Sequence, residues 1–497
     1  MTSQTMDPLD LGLPAGTVVD ADPATITRFG GRVVMGGAPF RLLRLSPAGA
    51  AHVQGWFRGE PVPDGVGAQR LARRLVVNGM AHPRAPTPRP DAAARVTVVI
   101  PVKDDPGGLA RTLDALSRPN DGDSARGASG GGARRASGGG GGGGGATVIV
   151  VDDGSAEPVT APGARIVRNA EPTGPAAARQ RGLHVVETDF VAFVDAGVSL
   201  DAAGLDELVA WFHDPAVVAV APRVVSAPRD DLVGRVEQTR SPLDLGPTGG
   251  PVGQGRPLSY VPTAALVART DVVRAAGGFD PALRYGEDVD LVWRLERHGS
   301  LRYVPAVQAT HEPRADLRRA LTQRYHYGTA AGPLAARHGS AVAPMHVSGW
   351  SLAVMALVAL RRPVAASFVA AVSAWQLGRK LKGAIPDPYA DGAVLTAQGH
   401  RVAAASAIGA AVRPWWPVLV AAQFTPLAPL ARRLALGSVV AAARRTEGDL
   451  RTRGETLAID VLGDLAYSAG VWRGSLQARS AAALLPRLMT WPNDSTH

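Results

Sequence analysis

Short, largely apolar runs alternate with amphipathic stretches through the middle of the chain. The runs are Val96–Ile100, Thr147–Val151 and Phe190–Val194. After the first and third runs, Leu109–Leu116 and Leu205–Phe212 carry apolar residues at the three- and four-residue spacing of one helix face. Buried strands that alternate with such helices are typical of an α/β domain with a mostly parallel sheet. We assign this domain to residues 95–315.

A small unit precedes this domain. The proline-rich segment Met80–Ala94 predicts a linker. Residues 1–90 contain strand-like pieces broken by glycine pairs and then helical patterns at Pro47–Trp56 and Ala68–Val76, an order that predicts a winged-helix-like unit. With a net charge of +10, a DNA-binding wing is one interpretation. We favour a scaffold or peptide-binding module and expect no nucleic acid partner.

The segment Asp121–Gly145 is of low complexity and ends in eight consecutive glycines. Such a tract cannot offset the entropy that it would lose on ordering, so the pattern predicts a flexible surface insertion. A phosphate-binding loop is a poor alternative because the chain has no GxxxxGK[ST] motif.

The last third of the chain, residues 316–497, is apolar and rich in alanine. Three of its stretches have no formally charged residue if His346 is neutral: Gly339–Leu360, Pro363–Gly378 and Pro414–Ala431. Pairs of basic residues separate them. Two interpretations stay open: a helical bundle, and a hairpin that lies against a membrane with its basic residues toward anionic headgroups.

The expected compartment follows from two further features. Cysteine is absent, which favours a reducing compartment. The N-terminus lacks a basic start and an apolar run, so no secretory signal is visible. We expect a cytoplasmic location, at the inner face of the cell membrane if the hairpin interpretation holds.

Acidic residues follow all three predicted strands. They are Asp104 and Asp105, Asp152 and Asp153, and Asp195. Ligands of doubly wound sheets bind beyond the carboxyl ends of the strands, so such a row indicates hydroxyl or amide recognition, or a metal site. The turn after the first strand has no G-x-G-x-x-G, which argues against a dehydrogenase. Receiver-like and phosphatase folds also use such acids.

A further acidic cluster lies at the start of a probable helix. Asp288 has Leu291 and Leu295 on one helix face behind it and the acids Glu287 and Asp290 beside it. Negative neighbours raise the proton affinity of a carboxylate and suit it to a general-base role. Alternatively, these are solvated acids that the helix dipole favours at this end.

Five motifs in order resemble those of family 2 glycosyltransferases with the GT-A fold. They are VTVVIPVKDD, VIVVDDGS, RNAEPTGPAAARQRGL, FVAFVDAG and YGEDVDLVWRL, over residues 95–314. The resemblance implies that Asp153, with Asp152 beside it, contacts the uracil of a UDP-sugar. It also implies a further nucleoside contact from Asp104 or Asp105, and a position for Arg179 near the nucleotide.

The same resemblance implies the metal and the base. Asp195 matches the first acid of the D-x-D motif, near the ribose and sugar, while Gly197 stands where the metal-binding acid usually lies. His311 matches a metal-ligating histidine, and Asp195 with His311 would hold Mg²⁺ or Mn²⁺ together with the diphosphate. The alternative for His311 is a core histidine bonded to a backbone carbonyl. Asp288 matches the catalytic base of an inverting transfer, and Glu287 its partner.

Two weaker similarities concern the acceptor. Gln323–Tyr325 is faintly similar to a Q-x-x-R-W motif of chain-extending synthases, with a different spacing and Tyr in place of Trp. The N-terminal segment resembles peptide-recognising domains of the PqqD type. A segment of this type, joined to a family 2 domain and an alanine-rich helical tail, resembles a family of glycosyltransferases that act on peptide-derived redox cofactors. This resemblance implies transfer of a hexose, as β-linked glucose, to a peptide-derived redox cofactor precursor. The alternatives are a family 2 enzyme of cell-envelope lipid or polysaccharide synthesis, and a non-catalytic peptide-binding assembly protein.

Overall fold

A computed structural model describes residues 10–89, 92–118, 145–313, 316–383, 385–444 and 449–489. The chain divides into two compact units. The first unit comprises Met1–Ala227 and Ser241–Glu312, and the second comprises Pro228–Arg240 and Pro313–His497. Almost all of the predicted insertion Asp121–Gly145 lies outside the described residues.

Over residues 10–89, the N-terminal part of the first unit contains two short helices and five short strands. The helices are α1 (Pro47–Trp56) and α2 (Val66–Val77), and the strands are β1 (Val19–Ala21), β2 (Ile26–Arg28), β3 (Val33–Gly36), β4 (Arg41–Arg44) and β5 (Ala81–Pro83). β2, β3 and β4 form an antiparallel sheet, while β1 pairs with β5.

Helix α1 begins where the sequence predicts because Ser46 accepts a hydrogen bond from the Gly49 backbone N–H at 3.1 Å and proline follows the cap. The predicted second helix is confirmed, with two more residues at its start and one more at its end. Val53, Trp56 and Leu75 fill a core that is closed to solvent.

The remainder of the first unit is built on one sheet. Its strands are β6 (Val96–Val102), β7 (Thr147–Asp152), β8 (Arg165–Arg168), β9 (Phe190–Val194), β10 (Val198–Ser199), β11 (Val217–Ser226), β12 (Gly250–Val252), β13 (Ala265–Arg269) and β14 (Ser300–His311). Its helices are α3 (Pro106–Ser117), α4 (Pro175–His184), α5 (Ala202–Ala210), α7 (Thr270–Ala275) and α8 (Glu287–Leu295), and α6 (Leu232–Arg240) belongs to the second unit.

The sheet order is β10-β14-β11-β13-β9-β6-β7-β8, with β12 paired to β14. The three apolar runs are the neighbouring strands β9, β6 and β7, which are parallel and form much of the core. The predicted α/β architecture is therefore confirmed. β13 enters antiparallel between β9 and β11, so the other half of the sheet is mixed.

The second unit is mostly helical. Besides α6 it contains α9 (Leu317–Thr329), α10 (Ala331–His338), α11 (Gly349–Ala359), α12 (Pro363–Leu381), α13 (Pro388–Ser406), α14 (Trp416–Ala421), α15 (Ala428–Ala443) and α16 (Leu450–Gln477). The short strands β15 (His346–Ser348) and β16 (Arg487–Met489) pair in parallel. Within the ranges that the structure describes, none of the helices combines the length and apolarity needed to cross a bilayer.

Candidate functional site

The carboxyl ends of β6, β7 and β9 lie at one edge of the sheet and bring the predicted acids there. β6 lies between the other two strands, so the ends of β7 and β9 are about 10 Å apart. The Asp153 backbone N–H donates to the Val102 carbonyl at 2.8 Å, which fixes the end of β7 against that of β6. Asp195 directly follows β9, where its N–H donates to the Ala264 carbonyl at 3.0 Å.

Asp153 directly follows β7, and its buried carboxylate is bonded to the residues that precede helix α4. Its Oδ1 accepts hydrogen bonds from the Asn169 side chain at 2.7 Å and from the Thr173 N–H and hydroxyl at 2.8 and 2.7 Å. Its Oδ2 accepts from the Gly174 N–H at 2.8 Å. Burial by itself would raise the pKa of Asp153, but these donors outweigh it and lower the pKa. The carboxylate is therefore held ionised, and Oδ2 keeps a lone pair for a further donor.

Asp152 is fully buried and serves the adjoining loop. Its carboxylate accepts from the Ser155 N–H at 2.9 Å and the Val159 N–H at 3.3 Å, and Arg168 donates to it from β8. Burial opposes ionisation, yet these bonds together lower the pKa of Asp152. The contacts describe a residue that shapes the turn after β7, and its predicted nucleotide contact stays a prediction.

Asp104 and Asp105 both have local structural bonds. Asp105 caps α3, since its Oδ1 accepts from the Gly108 N–H at 2.8 Å. Asp104 takes a left-handed φ of 53° and accepts from the Ala156 N–H at 2.8 Å. This bond joins the loop after β6 to the loop after β7. Both residues lie at the predicted edge.

Arg179 connects the sheet edge to the start of helix α8. It is buried one and a half turns into α4, about 7 Å along the helix from Gly174. Its Nη2 donates to Asp195 Oδ1 at 2.5 Å and its Nη1 to Glu287 Oε1 at 3.0 Å. Burial by itself would lower the pKa of Arg179, but the two carboxylates raise it. One guanidinium thus joins acids that are 92 positions apart (287 − 195).

Asp288 lies at the first turn of α8. Gly286 takes a left-handed φ of 78°, which turns the chain into the helix directly before Glu287. Desolvation by the surrounding protein, together with the charge of Glu287, raises the pKa of Asp288 to about 7. Asp290, whose negative charge we expected to raise this pKa as well, is not among the causes of the shift. Asp290 instead pairs with Arg294 at 2.7 Å within the helix.

His311 ends β14 beside the segment that follows Asp195. Its Cα is paired with that of Val198, whose N–H donates to the Asp195 carbonyl at 3.0 Å. His311 Nδ1 lies 2.9 Å from the Glu312 carbonyl, and Nε2 lies 3.0 and 3.1 Å from the hydroxyls of Ser226 and Ser241. A carbonyl oxygen can only accept, so Nδ1 carries the proton in its bond to Glu312. Nε2 then accepts from the serine hydroxyls.

The donor set at this edge fits a divalent metal only as an ion shared with substrate. Asp195 offers a carboxylate whose side chain is 36% exposed. Both ring nitrogens of His311 already have hydrogen-bond partners, so His311 could bind a metal through Nε2 only by giving up the hydroxyls of Ser226 and Ser241. At Gly197, a Cβ would lie 3.8 Å from the Gly108 Cα, so a side chain here would face the start of α3. No set of three His, Cys, Asp or Glu side chains that could hold a metal ion occurs in the described ranges.

Sequence reasoning missed the residues that hold the predicted ones. Asn169 and Thr173 fix Asp153, and Phe279 lies under the Arg179 guanidinium at 5.6 Å. Gln180 fixes Phe279 by accepting its N–H at 2.8 Å. Asn169 and Thr173 belong to the RNAEPTG segment of the third motif, which was the available signal for them.

Residues 97–272 match the model of the glycosyl transferase family 2. With the α/β sheet and the acids at its edge, this match defines a glycosyltransferase with the GT-A fold, as the sequence predicts. The matched range ends before Glu287, Asp288 and His311.

Relatives extend the similarity to almost the whole chain. It is 35% identical over 501 residues to the pre-mycofactocin glycosyltransferases of Mycobacterium tuberculosis strains CDC 1551 / Oshkosh and H37Rv, covering 96% of this chain and 99% of each relative. The chain therefore belongs to the family 2 glycosyltransferases and, within them, to the family of these relatives.

Two solved structures resemble the chain at low identity. One is a mannosyltransferase from Pyrobaculum calidifontis in complex with GDP-Man and Mn²⁺, with 16% identity, a TM-score of 0.40, and 78% of this chain and 90% of that chain covered. The other is TarS from S. aureus, with 12% identity, a TM-score of 0.32, and 47% and 63% covered.

Proposed function

We propose that the protein transfers glucose from UDP-glucose, with inversion, to a peptide-derived acceptor of the mycofactocin type. The observation that carries the proposal is the Arg179 bridge. It holds Asp195 of the sheet edge and Glu287 of helix α8 on one guanidinium, directly beside Asp288. The name of the 35% identical relatives supports the choice of acceptor.

The donor would lie across the carboxyl ends of β6, β7 and β9. Asp153 Oδ2 would accept the imide N–H of uracil, because a carboxylate held ionised is a strong acceptor. Asp104 and Asp105 would border the nucleoside, and Asp195 the ribose and sugar. In this arrangement the anomeric carbon faces the start of α8.

Asp288 would act as the general base. It takes the proton of the acceptor hydroxyl while that oxygen attacks the anomeric carbon from the face opposite to UDP. The new C–O bond forms, the bond to the diphosphate oxygen breaks, and UDP leaves with the electron pair. An α-linked donor thus gives a β-linked product. A pKa of about 7 suits this role because the base is partly ionised at neutral pH and still binds a proton well.

Mg²⁺ or Mn²⁺ is part of the proposal, held by Asp195 and His311 with substrate phosphate and water as further ligands. Such an ion would supply positive charge to the departing diphosphate.

The test is a donor screen with the purified protein, a mycofactocin-type peptide acceptor and UDP release as the readout, with and without EDTA. We expect consumption of UDP-glucose that depends on the acceptor and stops with EDTA. Acceptor-independent release, or a preference for a lipid acceptor, would favour the alternative of cell-envelope synthesis. The absence of turnover with every donor would contradict the enzymatic assignment and favour an assembly protein.

A further inference from the structure

The outward face of helix α12 is apolar along its length. Val364, Phe368 and Trp375 recur at i, i+4 and i+11 on one helix face and are 83%, 70% and 51% exposed. The opposite face carries Ala366 and Ser373, which are buried within the second unit. A surface helix normally places polar residues outward and apolar residues inward, so α12 has an outward face suited to a further apolar contact.

Basic side chains lie at both ends of this apolar stripe. Arg361 and Arg362 form the corner between α11 and α12, next to Val358 and Leu360, which are 60% and 65% exposed. The other end carries Arg379, Lys380 and Lys382, all exposed. From residue 339 to residue 386 the chain holds these five Lys and Arg residues and no Asp or Glu. The stripe thus lies within a segment of uniformly positive charge.

The apolar stripe and the basic side chains at its ends together indicate what kind of partner binds here. The Arg379 guanidinium lies 4.9 Å from the centre of the Trp375 ring, so the tryptophan has an exposed apolar body next to a cation. Aromatic side chains with Lys and Arg around them are typical of helices that lie in the interface of an anionic bilayer. A second copy of the chain fits poorly, because it would bring two clusters of positive charge together.

We propose that α12 and the α11–α12 corner bind a membrane surface that carries anionic headgroups. Phe368 and Trp375 enter the boundary between headgroups and acyl chains, and Arg361, Arg362 and Arg379 contact the phosphates. This surface is independent of the proposed transfer reaction, so either can fail without the other.

The experiment is co-sedimentation of the full chain with vesicles of phosphatidylcholine, with and without about one third phosphatidylglycerol. We expect binding to the anionic vesicles that falls as salt rises from about 0.1 M to about 1 M. Changing Arg361 and Arg362 to Gln should weaken the partition coefficient about 25-fold, at roughly fivefold per charge. Phe368→Ser should weaken it about tenfold.

Phe424→Ser is the matched control, because Phe424 is 89% exposed in the same unit but outside the stripe. This variant should bind like the wild type, and all variants should keep the wild-type circular dichroism spectrum and thermal midpoint. Equal binding to neutral and anionic vesicles, no binding to either, or an equal loss in Phe424→Ser would overturn the proposal. So would self-association that Phe368→Ser abolishes in the absence of vesicle binding.

Discussion

At the residue scale, the site depends on one buried arginine and on three carboxylates, those of Asp195, Glu287 and Asp288. Arg179 contacts Asp195 and Glu287, and the charge of Glu287 acts on Asp288. The motifs predicted the acids, because each follows a strand or begins a helix. The role of Arg179 could not be read from PAAARQRGL, where Arg179 and Arg181 look alike. The helical phase of α4 decides it: Arg181 bonds Asn169 instead.

Replacing Arg179 by Gln should lower both activity and stability. Glu287, only 13% exposed, would lose its partner, and we expect the free energy of unfolding to fall by about 2–3 kcal/mol, reduced from the fully buried case because Asp195 is 36% exposed. Urea unfolding measures this. Arg118→Gln is the control, since its pair with Asp114 is exposed and should contribute less than about 0.5 kcal/mol. Equal losses in both variants would contradict the bridge.

The pKa of Asp288 predicts opposite effects of pH on activity and on stability. As a base, Asp288 must be ionised, so kcat/KM should rise with pH through about 7. Because the folded-state pKa exceeds the unfolded value of about 3.9, the stabilisation from bound proton is present at low pH and is lost as pH rises toward 7. Asp288→Asn should therefore be more stable than the wild type at pH 8, by at least about 1 kcal/mol, and equal to it near pH 4.

Thermal or urea unfolding of the two proteins across this pH range measures the difference. A constant difference between pH 4 and pH 8 would show that Asp288 has an ordinary pKa.

At the element scale, local patterns predicted buried strands and helix starts but not long-range pairings. β6, β7 and β9 are largely apolar runs, and the helices that follow β6 and β9 carry apolar residues at helical spacing. The antiparallel insertion of β13 has no such signal, because it depends on the neighbours that a strand meets. The uncharged run Gly339–Leu360 is long enough for one spanning helix but does not form one. β15 within it pairs with β16, about 140 residues further on, and α11 begins only at Gly349.

Close packing of α16 against α9 and α10 depends on glycine. A Cβ at Gly470 would lie 2.0 Å from the Tyr325 carbonyl, so Gly470→Ala should force the helices apart and destabilise the second unit by about 2 kcal/mol. Gly454 lies in the same helix with open space around it, so Gly454→Ala should stabilise by about 0.5–1 kcal/mol. Calorimetry of both variants tests this. The same sign of change for both would contradict the packing argument.

At the scale of the whole molecule, the N-terminal part is bound to the catalytic part of the first unit. Arg73 of α2 and Asp214, which precedes β11, form a bidentate pair with distances of 2.7 and 2.5 Å, and their side chains are 1% and 7% exposed. Part of the predicted linker is also structured, since β5 pairs with β1. The sequence could not predict the Arg73–Asp214 pair, because these residues are 141 positions apart (214 − 73).

Removing one partner of this pair should cost much more than removing an exposed one. Asp214→Ala leaves Arg73 buried without its carboxylate, and we expect a loss of about 3 kcal/mol in the free energy of unfolding. Asp20→Ala is the control, because its pair with Arg84 has both side chains 57% exposed. Tryptophan fluorescence during urea unfolding reports both. Wild-type stability in Asp214→Ala would show that the contact contributes little.

The proposed mechanism requires that Asp288, joined through Glu287 and Arg179 to the acids of the sheet edge, takes the proton of the acceptor. Single-turnover sugar transfer by Asp288→Asn, with UDP affinity measured by calorimetry on the same preparation, tests it most directly. We expect a loss of transfer of about 100-fold or more with UDP affinity unchanged. The variant Asp114→Asn, at an exposed acid of α3, should keep full transfer. Wild-type transfer by Asp288→Asn would rule out Asp288 as the base.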